Sequence, residues 1–170
     1  MRKPKIMSLK KSYPLASFDV HLDNFRHLSD TFRKNNDISR LINVLDENFW
    51  TLDLTNQVFH EDYDALVLTD QNQKIKWVSN GFSEMTGYTK KFALGKRPAF
   101  LQGVKTSIKV KKQIRKELKT NNTFEGSLIN YKKNGEEYNC QIKILPLYNS
   151  NKKLEYFLAI EKEIPMVRQQ

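Results

Sequence analysis

Cysteine is almost missing from this chain of 170 residues. The single one, Cys140, excludes an internal disulfide framework and fits a reducing compartment, so the expected location is the cytoplasm. Histidine is scarce too. His21, His27 and His60 form no metal-ligand cluster and no Ser-His-Asp arrangement, and Asp19, Asp23 and Glu61 are scattered acids without evident catalytic geometry. No glycine loop of the phosphate-cradling kind occurs, and no zinc-finger or RNP-like signature. No apolar run approaches the roughly 18 residues a membrane-crossing helix needs. The basic start (Arg2, Lys3, Lys5) is not followed by the apolar stretch of a secretory signal. Internal repeats and low-complexity segments are absent. These absences argue against an enzyme, a metalloprotein and a membrane protein.

What the chain has in excess is positive charge. Its formal net charge is +10, concentrated between Lys105 and Lys119. The same stretch carries helical apolar spacing at Val110, Ile114 and Leu118, which reads as a helix with a solvated cationic face. Nucleic-acid binding through residues 105–119 is the rival reading. No aromatic is interleaved there to stack on a base, which counts against it.

In chain order, residues 1–16 are basic, contain Pro4 and Pro14, and show no sustained period, as in a mobile tail. Val20, Phe25, Leu28 and Phe32 then fall near helical spacing. Asn35-Asn36-Asp37 is expected to break that helix and restart it. Ile38, Leu41, Ile42, Leu45, Phe49 and Trp50 make the best amphipathic helix in the sequence. A polar link is expected over residues 55–62. Ala65 to Thr69 and Ile75 to Val78 read as strands around a turn at Asp70-Gln-Asn-Gln73. Asn80 stands as an N-cap before Phe82 and Met85, and Gly87, Gly95 and Gly103 punctuate a set of short helices. A helix near 106–120 follows. Thr123 to Lys132 and Glu137 to Leu147 form a hairpin through Lys133-Asn134-Gly135, and Leu154 to Ile164 is the last strand.

Strand phase separates two faces, because alternate side chains point to opposite sides. Phe124, Gly126, Leu128 and Asn130 form one face of their strand, Tyr138, Cys140, Ile142 and Ile144 are expected to face the core from the next, and the last strand splits into Phe157, Ala159 and Glu161 against Tyr156, Leu158 and Ile160. Parts of the sheet are therefore apolar on both sides. The helices of residues 17–50, or a second copy of the chain, are expected to cover the outer face.

Asn80-Gly-Phe-Ser-Glu-Met-Thr-Gly-Tyr88 resembles the helix-to-turn signature of PAS domains. Gly95-Lys-Arg-Pro-Ala-Phe-Leu-Gln-Gly103 resembles the flavin-binding motif of LOV photoreceptors, a PAS subclass whose pattern is Gly-x-Asn-Cys-Arg-Phe-Leu-Gln-Gly. The resemblance spans about Asp64 to Ile164. It implies an α+β PAS fold, a five-stranded antiparallel sheet with short helices on one face and an N-terminal helical extension on the other. The implied organisation is a tail (1–16), a helical extension (17–58), a PAS domain (59–165) and a C-terminal tail (166–170).

The resemblance also implies which chemistry is lost. Pro98 stands at the cysteine that attacks the flavin in LOV proteins, and proline offers no nucleophile. Arg97 replaces the flavin-contacting asparagine, and Ala99 the phosphate-gripping arginine. Gln102 and Asn130 match flavin contacts of the family. Cys140 replaces its second sheet asparagine, and Glu161 the glutamine of the last strand. Arg97, Gln102, Asn130, Cys140 and Glu161 are therefore the candidate cavity-lining residues. A carboxylate on an inner sheet face needs a partner or a proton, and Glu161 is expected to meet Arg97 or a donor group of a ligand. None of the three histidines matches a haem axial position.

These observations predict a stand-alone, non-enzymatic PAS signalling module with no cofactor, acting through contacts with another protein or a second copy. The first alternative is a LOV-type flavoprotein that binds FMN without an adduct.

Overall fold

The computed structural model describes residues 16–45 and 52–166; side chains are described from Leu22 in the first stretch and from Leu54 in the second. Phe49, Trp50 and the 1–15 portion of the expected tail lie outside them. The chain forms two compact units, one ending at Asn35 and one beginning at Asn36.

In the first unit, helix α1 (Ala16–Val44, shared with the second) carries an apolar stripe that is open to solvent, with Phe25 71% and Phe32 64% exposed. Its charges are met along the helix, Asp23 by Arg26 and Asp30 by Arg33 and Lys34. The expected break at Asn35-Asn36-Asp37 does not occur. Asn and Asp lower helix propensity by only a few tenths of a kcal/mol each, and the helix carries on into a buried turn at Asp37 and Ile38.

The second unit contains α2 (Leu52–His60), β1 (Ala65–Asp70), β2 (Ile75–Val78), α3 (Asn80–Thr86), α4 (Lys90–Ala93), a 3-10 turn (Pro98–Leu101), α5 (Ile108–Lys119), β3 (Phe124–Tyr131), β4 (Glu137–Tyr148) and β5 (Leu154–Ile164). All five strands form one antiparallel sheet in the order β2-β1-β5-β4-β3. Helix α2 occupies most of the stretch expected to be a polar link. Leu54 and Val58, one turn apart and both buried, give it an apolar edge that the surrounding Thr, Asn and Gln obscure.

Two apolar clusters sandwich the sheet. On the inner face, Val67, Leu128, Ile142, Ile144, Phe157 and Ala159 pack with Phe82, Met85, Ala93 and Leu101 of the short helices. On the outer face, Leu66, Leu68, Leu145, Leu147, Leu158 and Ile160 pack with Ile38, Leu41 and Leu45 and with Leu54, Val58 and Tyr63. The two-sided strands thus find their outer cover in residues 38–45 and 54–63. Leu41 is fully buried in that layer, and Leu41→Ala is expected to cost about 2 kcal/mol. That is the low end for such a truncation, because a helix resting on one surface can settle. Faster hydrogen exchange over residues 36–45, with the sheet still protected, is the measurement that checks it.

The caps differ from expectation in one place. Ser79, not Asn80, is the N-cap of α3, and its hydroxyl accepts from Leu66 N at 3.0 Å instead of capping the helix. Asn80 Oδ1 accepts from Arg40 and Lys90. Gly87 closes α3 in the left-handed region at φ 74°, where a side chain would be strained.

Candidate functional site

The inner face of the sheet, the 3-10 turn and α5 enclose a cavity of about 470 Å³. Its apolar lining comes from Val67, Leu128, Ile142, Ile144, Phe157 and Ala159 on the sheet and Leu101, Ile114 and Leu118 opposite, and Thr69, Gln71, Asn72 and Gln73 give it a polar side. A volume of this order suits a small organic ligand.

Local structure explains the positions of the polar groups. Arg97 is held beside the β1–β2 turn, its Nε donating to Asn72 O at 3.1 Å. That turn is itself closed by Asp70 Oδ1, which accepts from Asn72 N and Lys74 N. Pro98 opens the 3-10 turn, where its missing N–H costs nothing, and Gln102 ends it. The segment after it is tied to β3. Thr106 Oγ1 donates to Ile129 O at 2.6 Å and accepts from Gly103 N, and Tyr131 Oη accepts from Lys105 N. Ser107 then caps α5, accepting from Val110 N. One side of α5 turns Lys111, Ile114, Arg115 and Leu118 to the cavity, a spacing of i, i+3, i+4, i+7.

Deep in the cavity, Asn130 of β3 and Glu161 of β5 face inward, 5% and 3% exposed. Asn130 Nδ2 points at Tyr138 Oη at 3.5 Å, while Asn130 Oδ1 and Glu161 Oε2 are buried acceptors without a hydrogen-bond partner. Burial pushes the Glu161 carboxyl up from its ordinary 4.5 to about 7. Burial, reinforced by Glu161, also raises the Tyr138 phenol and the Cys140 thiol, so both hold their protons.

Of the five residues singled out by sequence, Arg97, Gln102, Asn130 and Glu161 come together on the cavity wall. Cys140 does not line the cavity. It is fully buried in the inner cluster, with Sγ 3.7 Å from Gln141 O. The expected Arg97–Glu161 contact is not formed, because the turn carbonyl of Asn72 takes Arg97 while Glu161 lies deep in the sheet. Lys111 and Arg115 were missed. The basic helix read as a solvated face, although their placement beside Ile114 and Leu118 was a signal that two cations border the apolar side of the helix. Both line the cavity, Lys111 half-buried and Arg115 exposed.

The five-stranded antiparallel sheet with short helices on its inner face is a sensory-domain architecture. The chain belongs to the PAS domain family, whose model matches residues 64–164. It is 37% identical over 103 residues to a blue-light photoreceptor of Listeria innocua, covering 59% of this chain and 40% of that protein. It is 35% identical over 92 residues to the human voltage-gated delayed rectifier potassium channel KCNH8, covering 53% of this chain and 8% of the channel. The chain thus spans about two fifths of the Listeria photoreceptor it matches. Among solved structures it is similar to a light-oxygen-voltage domain studied with a flavin analogue (26% identity, TM-score 0.60, 66% of this chain and 85% of that one). It is also similar to the LOV domain of a blue-light activated histidine kinase from Erythrobacter litoralis (25% identity, TM-score 0.58, 63% of this chain and 100% of that one). Among the described residues no helix is long and apolar enough to cross a membrane, and no group of three or more His, Cys, Asp or Glu could hold a metal.

Proposed function

We propose that this chain is a non-enzymatic PAS sensory module that converts occupancy of its cavity into altered contacts with another protein or a second copy, without cysteinyl–flavin photochemistry. The observation that carries this reading is Pro98 on the cavity wall, at the motif position of the LOV cysteine. Cys140 cannot stand in for it, being absent from the lining and held as a thiol. Residues 59–165 form the sensing unit and residues 17–58 the output extension, flanked by the tails 1–16 and 166–170. A single buried cysteine suits a cytoplasmic setting.

The route from cavity to output is short. Ala159 and Glu161 face the cavity, while Leu158 and Ile160 between and before them hold the outer helical layer. A ligand that prefers one setting of β5 would therefore shift the packing of residues 38–45 and 54–63, provided its affinity differs between the two settings.

Non-covalent FMN is the second reading, favoured by the cationic mouth. Arg97, Lys111 and Arg115 would face its phosphate, and Gln102, Asn130 and Glu161 would face its ring. Bound FMN would supply blue-light absorption and redox chemistry. The chain's part would be to bind it, exclude water and hold a proton on Glu161. Nucleic-acid binding through α5 is weakened, since Lys111 and Arg115 turn to the cavity and Lys105 pairs with Glu137 at 2.8 Å.

Native mass spectrometry with visible spectroscopy tests these readings, before and after FMN is added. The parent is expected to show no reversible blue-light bleaching whether or not FMN is bound. Pro98→Cys, loaded with FMN, is expected to bleach and recover. Reversible bleaching in the parent would overturn the proposal, and an FMN-loaded Pro98→Cys that never bleaches would overturn the placement of the motif.

A further inference from the structure

Asn130 Oδ1 is an unpartnered acceptor deep in the cavity, and so is Glu161 Oε2 once the carboxyl is ionised. A ligand that offered them further acceptors would then leave both buried and unbonded. Donors are what these two oxygens lack. The opposite end is cationic, with Lys111 and Arg115 on α5 and Arg97 at the turn, and apolar walls lie between.

We infer that the cavity takes a planar heterocycle with adjacent N–H donors at one end and an acidic group at the other, a guanine- or pterin-type phosphate or carboxylate, with Asn130 and Glu161 receiving the N–H edge. This inference rests on the cavity being the sensory site. The donor edge replaces the water those two oxygens lost on burial, and the anion meets Lys111 and Arg115 where solvent still reaches. Recognition is linked to protons. N–H donors favour the ionised form of Glu161, so binding releases a proton wherever the free carboxyl is still protonated.

The charged and titratable groups around Glu161 leave that linkage to Glu161 itself. Arg97 and the α5 cations face it across the cavity, and Tyr138 and Cys140 of β4 keep their protons through burial. Asp64, before β1, is engaged by Glu163 N at 2.8 Å, and Glu163 pairs with Lys132 at 3.0 Å. With Glu161 titrating at about 7, affinity is expected to be about tenfold higher at pH 8 than at pH 6.

The test is calorimetric titration of the full chain with GMP, AMP, guanosine and FMN at both pH values, with melting curves confirming that each protein is folded. GMP is expected to bind more tightly than AMP, whose base lacks the adjacent donors, and more tightly than guanosine, which lacks the anion. Glu161→Gln is expected to weaken GMP about 10- to 100-fold at pH 8. It retains the phosphate's own titration, so the difference in pH slope between the two proteins isolates Glu161. Arg115→Ser, at the exposed mouth, is expected to weaken GMP and leave guanosine unchanged. No preference for GMP over AMP, or GMP binding indifferent to Glu161→Gln and to pH, would overturn the inference. FMN binding without GMP binding would overturn it and leave the sensory cavity standing, whereas failure of every probe with folded protein would count against both.

Discussion

At pH 8 the Glu161→Gln variant is expected to be more stable than the parent by about 3 kcal/mol. The carboxyl is buried, without a partner for Oε2, and titrates at about 7 against an ordinary 4.5. A raised carboxyl stabilises the folded state fully below pH 4.5, and that contribution is lost as pH rises through 4.5 to about 7. At about 1.4 kcal/mol per unit, the interval amounts to about 3 kcal/mol. Glutamine keeps the shape and removes the ionisation. The expected signature is a melting temperature higher by roughly 10 °C at pH 8, with the two proteins converging near pH 4.5. Paired melts across that range check it. Asp30 and Asp70, whose carboxyls Arg33 and the 72–76 segment hold below the ordinary range despite some burial, lose stability in the opposite direction on acidification. They do so equally in both proteins. A parent melting curve that tracks the variant's from pH 5 to 8 would remove the buried acid from the account.

Gly81→Ala is expected to be the most damaging small substitution, costing about 3 kcal/mol or more. A Cβ at Gly81 would stand 1.8 Å from Asp64 O, a backbone atom that cannot swing aside. Relief requires α3 to move from the start of β1, and α3 carries Phe82 and Met85 into the inner core. Gly95→Ala is the control. Its φ of 75° disfavours a side chain, but the space around it is open, so about 1 kcal/mol is expected. Denaturant melts of the three proteins check the ranking, and equal midpoints for both variants would refute the clash.

The inner and outer faces of the sheet were legible because period 2 shows wherever the two faces differ. Phe157 and Ala159 against Leu158 and Ile160 is such a case, and the structure assigns them to opposite clusters. The Asn-Gly hairpin and the Gly87 stop were legible because each requires a backbone conformation few residues adopt. Helix α2 was not, since Leu54 and Val58 are two apolar residues among polar ones and only the sheet beneath them gives that edge a use. The continuity of α1 through Asn35-Asn36-Asp37 was hidden by residues that break helices on average but weakly.

By itself the sequence determined the order of the strands along the chain, their phase, the absence of a thiol at Pro98 and the presence of an acid on an inner strand face. Those are properties of local spacing and residue chemistry. Only the tertiary structure decided that Arg97 turns to Asn72 and leaves Glu161 without its oxygen satisfied, that Cys140 stays out of the cavity, and that Lys111 and Arg115 guard its mouth. Which groups meet across a cavity depends on the distance between elements far apart in the chain, and spacing along one strand or helix carries no record of that distance.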